Sequence, residues 1–410
     1  MEIVNENRNR WILNGTVFID GRFEKKDIRI ENGKFAELAE PGERSKSECG
    51  TASTPGEYSM AGENVFNAAD KYILPGLVDV HTHGRNGLDF SRLTEEDLQT
   101  LLASYAACGV TAVLGTTMTN EPSLVEKSLQ VMNAYYKKQS TVTEENIKTY
   151  DQISCAKLLG IHMEGPFLGT EKKGAHKEKY LKNPDWVWLE HMQNVSGGNI
   201  RLVTVDPSLA GAETFIKKCR EKGIKVSLGH TACDYETAIK AQQAGADHVT
   251  HLFNAMNLLH HREPGLIGAA LDSGMYTELI CDGIHMHPAV IRLMFVSHPE
   301  QILLVSDSIS AAGMPEGECR SGGQKVLVKD GKATLEDGTI AGSAISLFEA
   351  MVNAIRFGVP AEAAVNSATY LPAKSVGMED VAGRIAVGRW ADYVVVDKDW
   401  KLEQVVKFSY

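Results

Sequence analysis

Three absences narrow the field first. The 410-residue sequence has no uninterrupted apolar run near the ~20 residues that a membrane-crossing helix requires. It has no Cys-x-x-Cys, and its seven cysteines, at 49, 108, 155, 219, 233, 281 and 319, are odd in number and scattered. That spacing fits reduced thiols in a cytosolic protein and gives no support to a catalytic cysteine. There is no basic stripe either. Lys and Arg number 42 against 53 Asp and Glu, a formal net charge of -11, so no nucleic-acid partner is expected. The opening residues, Met1-Glu-Ile-Val-Asn-Glu, lack the basic-then-apolar layout of a secretory signal. The expectation is a cytoplasmic protein without a membrane partner.

What remains is an ordinary globular composition, 43% hydrophobic and 23% charged. The length suits one large domain, or one large and one small. Its centre of gravity is Leu74-Pro-Gly-Leu-Val-Asp-Val-His-Thr-His-Gly84. In a strand, alternate side chains share a face. Asp79, His81 and His83 therefore point one way, and Val80 and Thr82 the other. Two imidazoles on one face can bind a metal ion. They can equally be hydrogen-bonded residues of a buried face, so this motif needs support from elsewhere.

Residues 1–72 show short β-forming runs around Asp-Gly and Asn-Gly turns, the beginning of a small β domain. Residues 41–63, rich in Gly, Ser, Glu and Thr, are expected to be a mobile surface excursion. From 73 the pattern changes. Strand-like runs at 74–80, 110–117, 157–163, 200–205, 225–228, 248–252, 278–281 and 302–306 alternate with helical stretches at 94–108, 122–138, 212–222, 235–244 and 288–296. Thr94 can cap the first helix, and Gly109, Gly223 and Gly245 stand where helices should end. Eight such units predict an α/β fold, a (β/α)8 TIM-like barrel over 73–378, with its active site at the C-terminal strand ends. Two further helices, near 346–357 and 361–369, should follow the eighth strand. Residues 379–410 should then return as strands, so that the N- and C-terminal segments together form a small β-sandwich domain.

The strand ends supply the support that the His-x-His motif needed. The third ends in Gly160-Ile-His-Met-Glu-Gly-Pro-Phe167 and the fifth in Ser227-Leu-Gly-His230. The sixth runs His248-Val-Thr-His-Leu-Phe-Asn-Ala-Met256, the seventh ends in Asp282-Gly-Ile-His-Met-His-Pro288, and the eighth in Val305-Ser-Asp-Ser308. Convergence of so many His, Glu and Asp at one rim points to a metal-dependent hydrolase. His81, His83, Glu164, His230 and His251 can hold one or two divalent ions and leave a position open for water. Asp307 is the candidate general base and then acid, against a role as a structural cap. His285 can polarise a carbonyl or bind a hydroxyl. His287 is as readily structural, His162 is read as a buried support of the ligands, and His248 has the wrong parity to join them. His191 and His298 read as helix-surface residues.

Taken with Lys173-Gly-Ala-His176, Gly229-His-Thr231, Arg262-Glu-Pro-Gly-Leu266 and Leu335-Glu-Asp-Gly-Thr-Ile-Ala-Gly-Ser343, these motifs resemble the amidohydrolase superfamily, and within it the N-acetylglucosamine-6-phosphate deacetylase family. They run in order from about residue 11 to 400. The resemblance implies hydrolysis of a small phosphorylated amino sugar, N-acetyl-D-glucosamine 6-phosphate, in amino-sugar catabolism and cell-wall sugar recycling. It implies that Glu164, His230 and His251 hold the main metal, with His81 and His83 adding a second. The metal's identity, Zn, Fe, Mn or Co, stays open. It further implies that His176, Asn254, Ala255 and His285 contact the sugar, and that Arg262 binds the 6-phosphate, in its own site or that of a neighbouring subunit of a homodimer. A surface ion pair with Glu263 is the alternative for Arg262.

The sequence also departs from that family. Residues 41–63 and about 137–156 are longer than usual, and the fourth strand ends in Val205-Asp-Pro-Ser. Ile345-Ser-Leu stands where a Thr-Met pair is usual, beside the expected sugar loop. Two other readings follow from the residues. A cyclic-amide hydrolase would carry a bridging lysine at the fourth strand end, and 203–208 has none. A non-catalytic relative would be expected to have lost ligands, and all five are present with Asp307.

Overall fold

The computed structural model describes residues 2–4, 8–42, 64–142 and 155–409. Most of the expected 41–63 excursion, the centre of the 137–156 stretch and Cys49 lie outside the described residues. Eight parallel strands form the barrel: β1 (Leu77–Thr82), β2 (Val110–Thr117), β3 (Lys157–Glu164), β4 (Ile200–Val205), β5 (Lys225–Leu228), β6 (His248–Val249), β7 (Tyr276–Ile280) and β8 (Ile302–Val305), paired in sequence order. β8 and β1 are joined beyond their ladder ends. Asp307 N–H donates to His81 O at 3.0 Å, and His83 N–H donates to Ser308 O at 2.8 Å. This closing seam therefore brings Asp307 beside the His-x-His motif.

The strands are apolar along nearly their whole length because helices cover the barrel on the outside. Leu98, Leu101, Leu102 and Tyr105 bury one side of the helix Glu95–Ala107, which Thr94 starts with a capping box closed by Asp97. Gly109, Gly223 and Gly245 all take positive φ at helix ends, as their positions predict. All six described cysteines are free thiols. Among the described residues, no helix is long and apolar enough to cross a membrane.

The chain ends meet, as expected, and their strands form one mixed sheet of eight. Leu402–Val406, Tyr393–Val396, Tyr72–Pro75, Arg10–Ile19, Arg22–Glu31 and Lys34–Ala39 lie side by side; Glu2–Val4 flanks the first of these, and Val65–Asn67 pairs with Arg10–Ile19. Ile12, Val17, Ile28, Phe35, Tyr393 and Phe408 form its core.

The structure corrects four element expectations. The run at 74–80 is two strands, because Pro75-Gly76 breaks it: Tyr72–Pro75 joins the terminal sheet and Leu77–Thr82 the barrel. Helices Trp186–Val195 and Gly265–Ser273 were hidden, the first by bulky aromatics and the second by Pro264-Gly265 at its start. Before the helix Leu347–Arg356, the chain makes a three-stranded antiparallel sheet, Gly317–Ser321, Gln324–Lys329 and Lys332–Thr334. Between 383 and 397 only Tyr393–Val396 is a strand.

Candidate active site

At the C-terminal mouth of the barrel lies a pocket of about 660 Å³. Glu164, at the last position of β3, is the hub of its floor. Its Oε1 lies 3.1 Å from His230 Nε2, 3.1 Å from His251 Nε2 and 3.6 Å from His81 Nε2. Its Oε2 lies 3.1 Å from both His83 Nε2 and His176 Nε2. His230 and His251 Nε2 are 3.1 Å apart, and His81 and His83 Nε2 are 3.3 Å apart. Asp307 Oδ1 approaches His83 Nε2 at 3.2 Å and His81 Nε2 at 3.6 Å. All of these groups are buried.

That geometry fits a metal ion. Nitrogen ligands about 2.0–2.1 Å from a tetrahedral ion stand roughly 3.3–3.4 Å from one another. The donor spacings cluster around that edge length. Two buried imidazole nitrogens so close must share one proton or aim lone pairs at a common point, and the second arrangement is a ligand pair.

The partners of the opposite ring nitrogens decide which rings can ligate. His230 Nδ1 is 2.8 Å from Lys172 O, an acceptor only, so Nδ1 carries the proton and Nε2 is free. His81 Nδ1 is 2.7 Å from Glu278 Oε2, with the same consequence. His176 is the reverse. Thr119 N–H donates to its Nδ1 at 3.2 Å, so the proton sits on Nε2 and points at Glu164. His176 thus sits among the ligand candidates in distance but is a hydrogen-bond donor in chemistry.

Charge reinforces this division. Burial pushes His176 down to about 4, keeping it neutral. Burial also opposes a charge on His83, but Asp307 and Glu164 outweigh it and raise the ring to about 9. Burial would raise the Asp307 carboxyl, yet His81 and His83 hold it down at about 2, so it stays an acceptor at neutral pH. Burial drives His162 well below the usual imidazole value; its Nε2 meets Thr204 Oγ1 at 2.8 Å and its ring packs edge-on against His81.

Three floor residues occupy left-handed backbone: His230 at φ 48°, His251 at φ 29° and Asp307 at φ 44°. Residues with a Cβ rarely adopt it, and such strain collects at functional sites. Asp206, at the end of β4, accepts from Thr231 Oγ1 and so braces the residue after His230.

Asn254, Ala255 and His285 line the pocket with His83, Glu164, His176, His230, His251 and Asp307. His285 Nδ1 is held 2.6 Å from Asp282 Oδ2. His287 accepts from Ala289 N–H at the start of Pro288–Ser297 and is structural. His248 pairs with Asp247 and lies against Tyr276, away from the floor. Arg262 is exposed, does not line this pocket among the described residues, and pairs with His261 rather than Glu263. The departure at Ile345-Ser-Leu also lies outside the pocket lining, and Ser346 caps the helix Leu347–Arg356. Sequence reasoning missed Glu278, Thr119 and Asp282. Only Asp282 carried a signal, its i, i+3 spacing to His285.

Comparison with known proteins bears on the family. The profile of the Amidohydrolase family matches residues 72–409. The N-acetylglucosamine-6-phosphate deacetylase of Bacillus subtilis (strain 168) is 35% identical over 85% of this chain and 86% of its own. The N-acetylgalactosamine-6-phosphate deacetylase of Escherichia coli O157:H7 is 31% identical over 81% of this chain and 85% of its own. Among solved structures, N-acetylglucosamine-6-phosphate deacetylase from Pasteurella multocida superposes with a TM-score of 0.84 at 26% identity, covering 97% of this chain and 98% of that one. A mutant of the Mycobacterium smegmatis deacetylase in complex with N-acetyl-D-glucosamine-6-phosphate gives a TM-score of 0.84 at 27% identity, covering 98% of each. The family match over residues 72–409 and a relative 35% identical over most of both lengths give the assignment: this chain belongs to the amidohydrolase family, and within it to the N-acetylglucosamine-6-phosphate deacetylases.

Proposed function

We propose that this chain hydrolyses N-acetyl-D-glucosamine 6-phosphate to D-glucosamine 6-phosphate and acetate, a step of amino-sugar catabolism. The observation that carries the reading is the meeting of Glu164, four imidazoles and Asp307 on one pocket floor. Glu164, His230 and His251 would hold one divalent ion, and His81 and His83 a second. Bound there, such an ion supplies Lewis acidity to the acyl oxygen and acidifies water.

The chain's own residues perform the rest. Asp307, ionised on the pocket floor, accepts the proton of the attacking water and returns it to the departing amine. His285, anchored by Asp282 through Nδ1, lines the pocket and presents its Nε2 lone pair to a sugar hydroxyl, from which it accepts. His176 Nε2–H fixes the Glu164 carboxylate or meets the substrate. Asn254 and Ala255 would border the sugar. Arg262 is exposed and does not line its own pocket, so its phosphate contact is read as reaching the site of a second copy in a homodimer. A guanidinium fork matches phosphate oxygens. A cytoplasmic location fits this substrate.

The test is acetate release by metal-replete protein from N-acetylglucosamine 6-phosphate, run beside the unphosphorylated sugar and N-acetylgalactosamine 6-phosphate. Release from the phosphorylated glucosamine derivative alone is expected. The Escherichia coli relative makes the galactosamine epimer the second reading, and preferential turnover of that epimer would replace the first. A cyclic-amide hydrolase is disfavoured because β4 ends in Val205 and is followed by Asp206, without a bridging lysine.

A further inference from the structure

Glu278 lies on β7, is fully buried, and has no part in the steps above. Its Oε2 lies 2.7 Å from His81 Nδ1 and accepts from His251 N–H at 3.2 Å. Its backbone carbonyl accepts from Leu252 N–H at 2.8 Å. One residue thus grips a ring from β1 and the turn that follows β6.

That turn needs holding. β6 is only two residues long, and His251 sits in left-handed backbone at φ 29°. The ladder alone cannot fix a strained residue beyond its end. On the other side, an acceptor at His81 Nδ1 fixes the ring proton there. The Nε2 lone pair is then directed at the space shared with Glu164 and Asp307, each 3.6 Å away.

The cost of this arrangement argues that it has a use. A buried carboxylate is expensive unless fully partnered, and Glu278 Oε1 has no hydrogen-bond partner. The following β7 positions, Leu279 and Ile280, are simply apolar and buried. A purely structural position 278 would be served better by such a residue.

We propose that Glu278 is a positioning residue for the metal-binding set, fixing the tautomer of His81 and the backbone pose of His251 together. The inference rests on the reading of these histidines as ligands. Carboxylates that orient a ligating histidine contribute roughly 10–100-fold in metal affinity.

The test is Zn²⁺ binding by full-length wild type and Glu278→Gln, measured by equilibrium dialysis against buffered free zinc, with circular dichroism to establish folding. The near-isosteric amide should fold and bind zinc roughly 10–100-fold more weakly. The loss should fall first on the ion at the His81–His83 side, or on the single ion if wild type takes one. Affinity and stoichiometry within twofold of wild type overturn the proposal. In metal-stripped wild type, long-range ¹H–¹⁵N spectra should show His81 protonated at Nδ1. A ring bearing its proton only on Nε2 overturns it too, even should the variant not fold. Neither readout uses acetate, so failure of the deacetylase reading stays distinguishable from failure of this one.

Discussion

Asp307 Oδ1 and His83 Nε2 stand 3.2 Å apart across the seam that closes the barrel. The carboxyl is held near 2 by this contact and by His81, against the upward push of burial. It is therefore an acceptor before substrate arrives. Asp307→Asn keeps the shape and removes the base. It should lower kcat by about 10²–10⁴-fold, the usual weight of a general acid–base group. Metal analysis beside the rate measurement separates the two roles: near-wild-type turnover in a metal-loaded variant would discard Asp307 as the proton carrier.

The raised value of His83, about 9, gives a pH prediction. Below that pH the ion-free ring holds a proton at the position an ion would take. Proton and ion compete, so zinc affinity should climb with pH up to about 9, by up to roughly tenfold per unit for this one site. Zinc dissociation constants at pH 6.5 and 8.5 check the sign. A flat or falling affinity would mean that His83 does not ligate.

Gly165 follows the hub residue at φ 88°, and an added Cβ would stand 2.0 Å from Thr119 Oγ1. Thr119 fixes the ring of His176 through its hydroxyl and its backbone N–H. Gly165→Ala should therefore act at a distance of two contacts, loosening His176 and lowering kcat/KM by about tenfold or more. Thr119→Val, which removes only the hydroxyl, should give a milder loss. Equal activity in all three proteins would remove His176 from the working site.

Arg262→Ala should raise KM for the phosphorylated sugar about 10–100-fold, the range for losing a charged phosphate contact. Since the side chain is exposed and does not line its own pocket, the effect requires a second copy. Light scattering should then show a dimer. A monomer with unchanged KM would leave the phosphate to other groups of the pocket.

Phe167 is fully buried against Phe215, at 4.8 Å between ring centres, and Trp188, at 5.7 Å. Phe167→Ala should cost about 3–5 kcal/mol in urea unfolding. The same loop leaves the hub strand, so metal retention should fall with it.

The candidate ligands His81, His83, Glu164, His230 and His251, with Asp307, could be picked out because each stands at or just past a strand end inside a recognisable phrase, and because alternation assigns faces. Val110–Thr117, Ile200–Val205 and Lys225–Leu228 were readable to the residue, since apolar runs there are bounded by glycine or charge. Glu278 was not. A carboxylate inside Tyr276–Ile280 has no local pattern to mark it, and its partners, His81 and His251, are distant in sequence. The sheet at 317–334 escaped for a different reason: its strands are half exposed and charged, so they read as loop. The donor character of His176 depends on Thr119, 57 residues away, and no spacing rule encodes it.

The terminal sheet sets a timetable for synthesis. Tyr72–Pro75 pairs on one side with Thr16 and Val17 and on the other with Tyr393–Val396, ~320 residues later. At about 5–20 residues per second, the early strands wait some 15–60 s on the ribosome for that partner. During the wait, Ile73 and its neighbours present an open, apolar edge. Nascent chains arrested between the last barrel strand and residue 393 should be the species that chaperones capture, and release should follow the emergence of Tyr393–Val396.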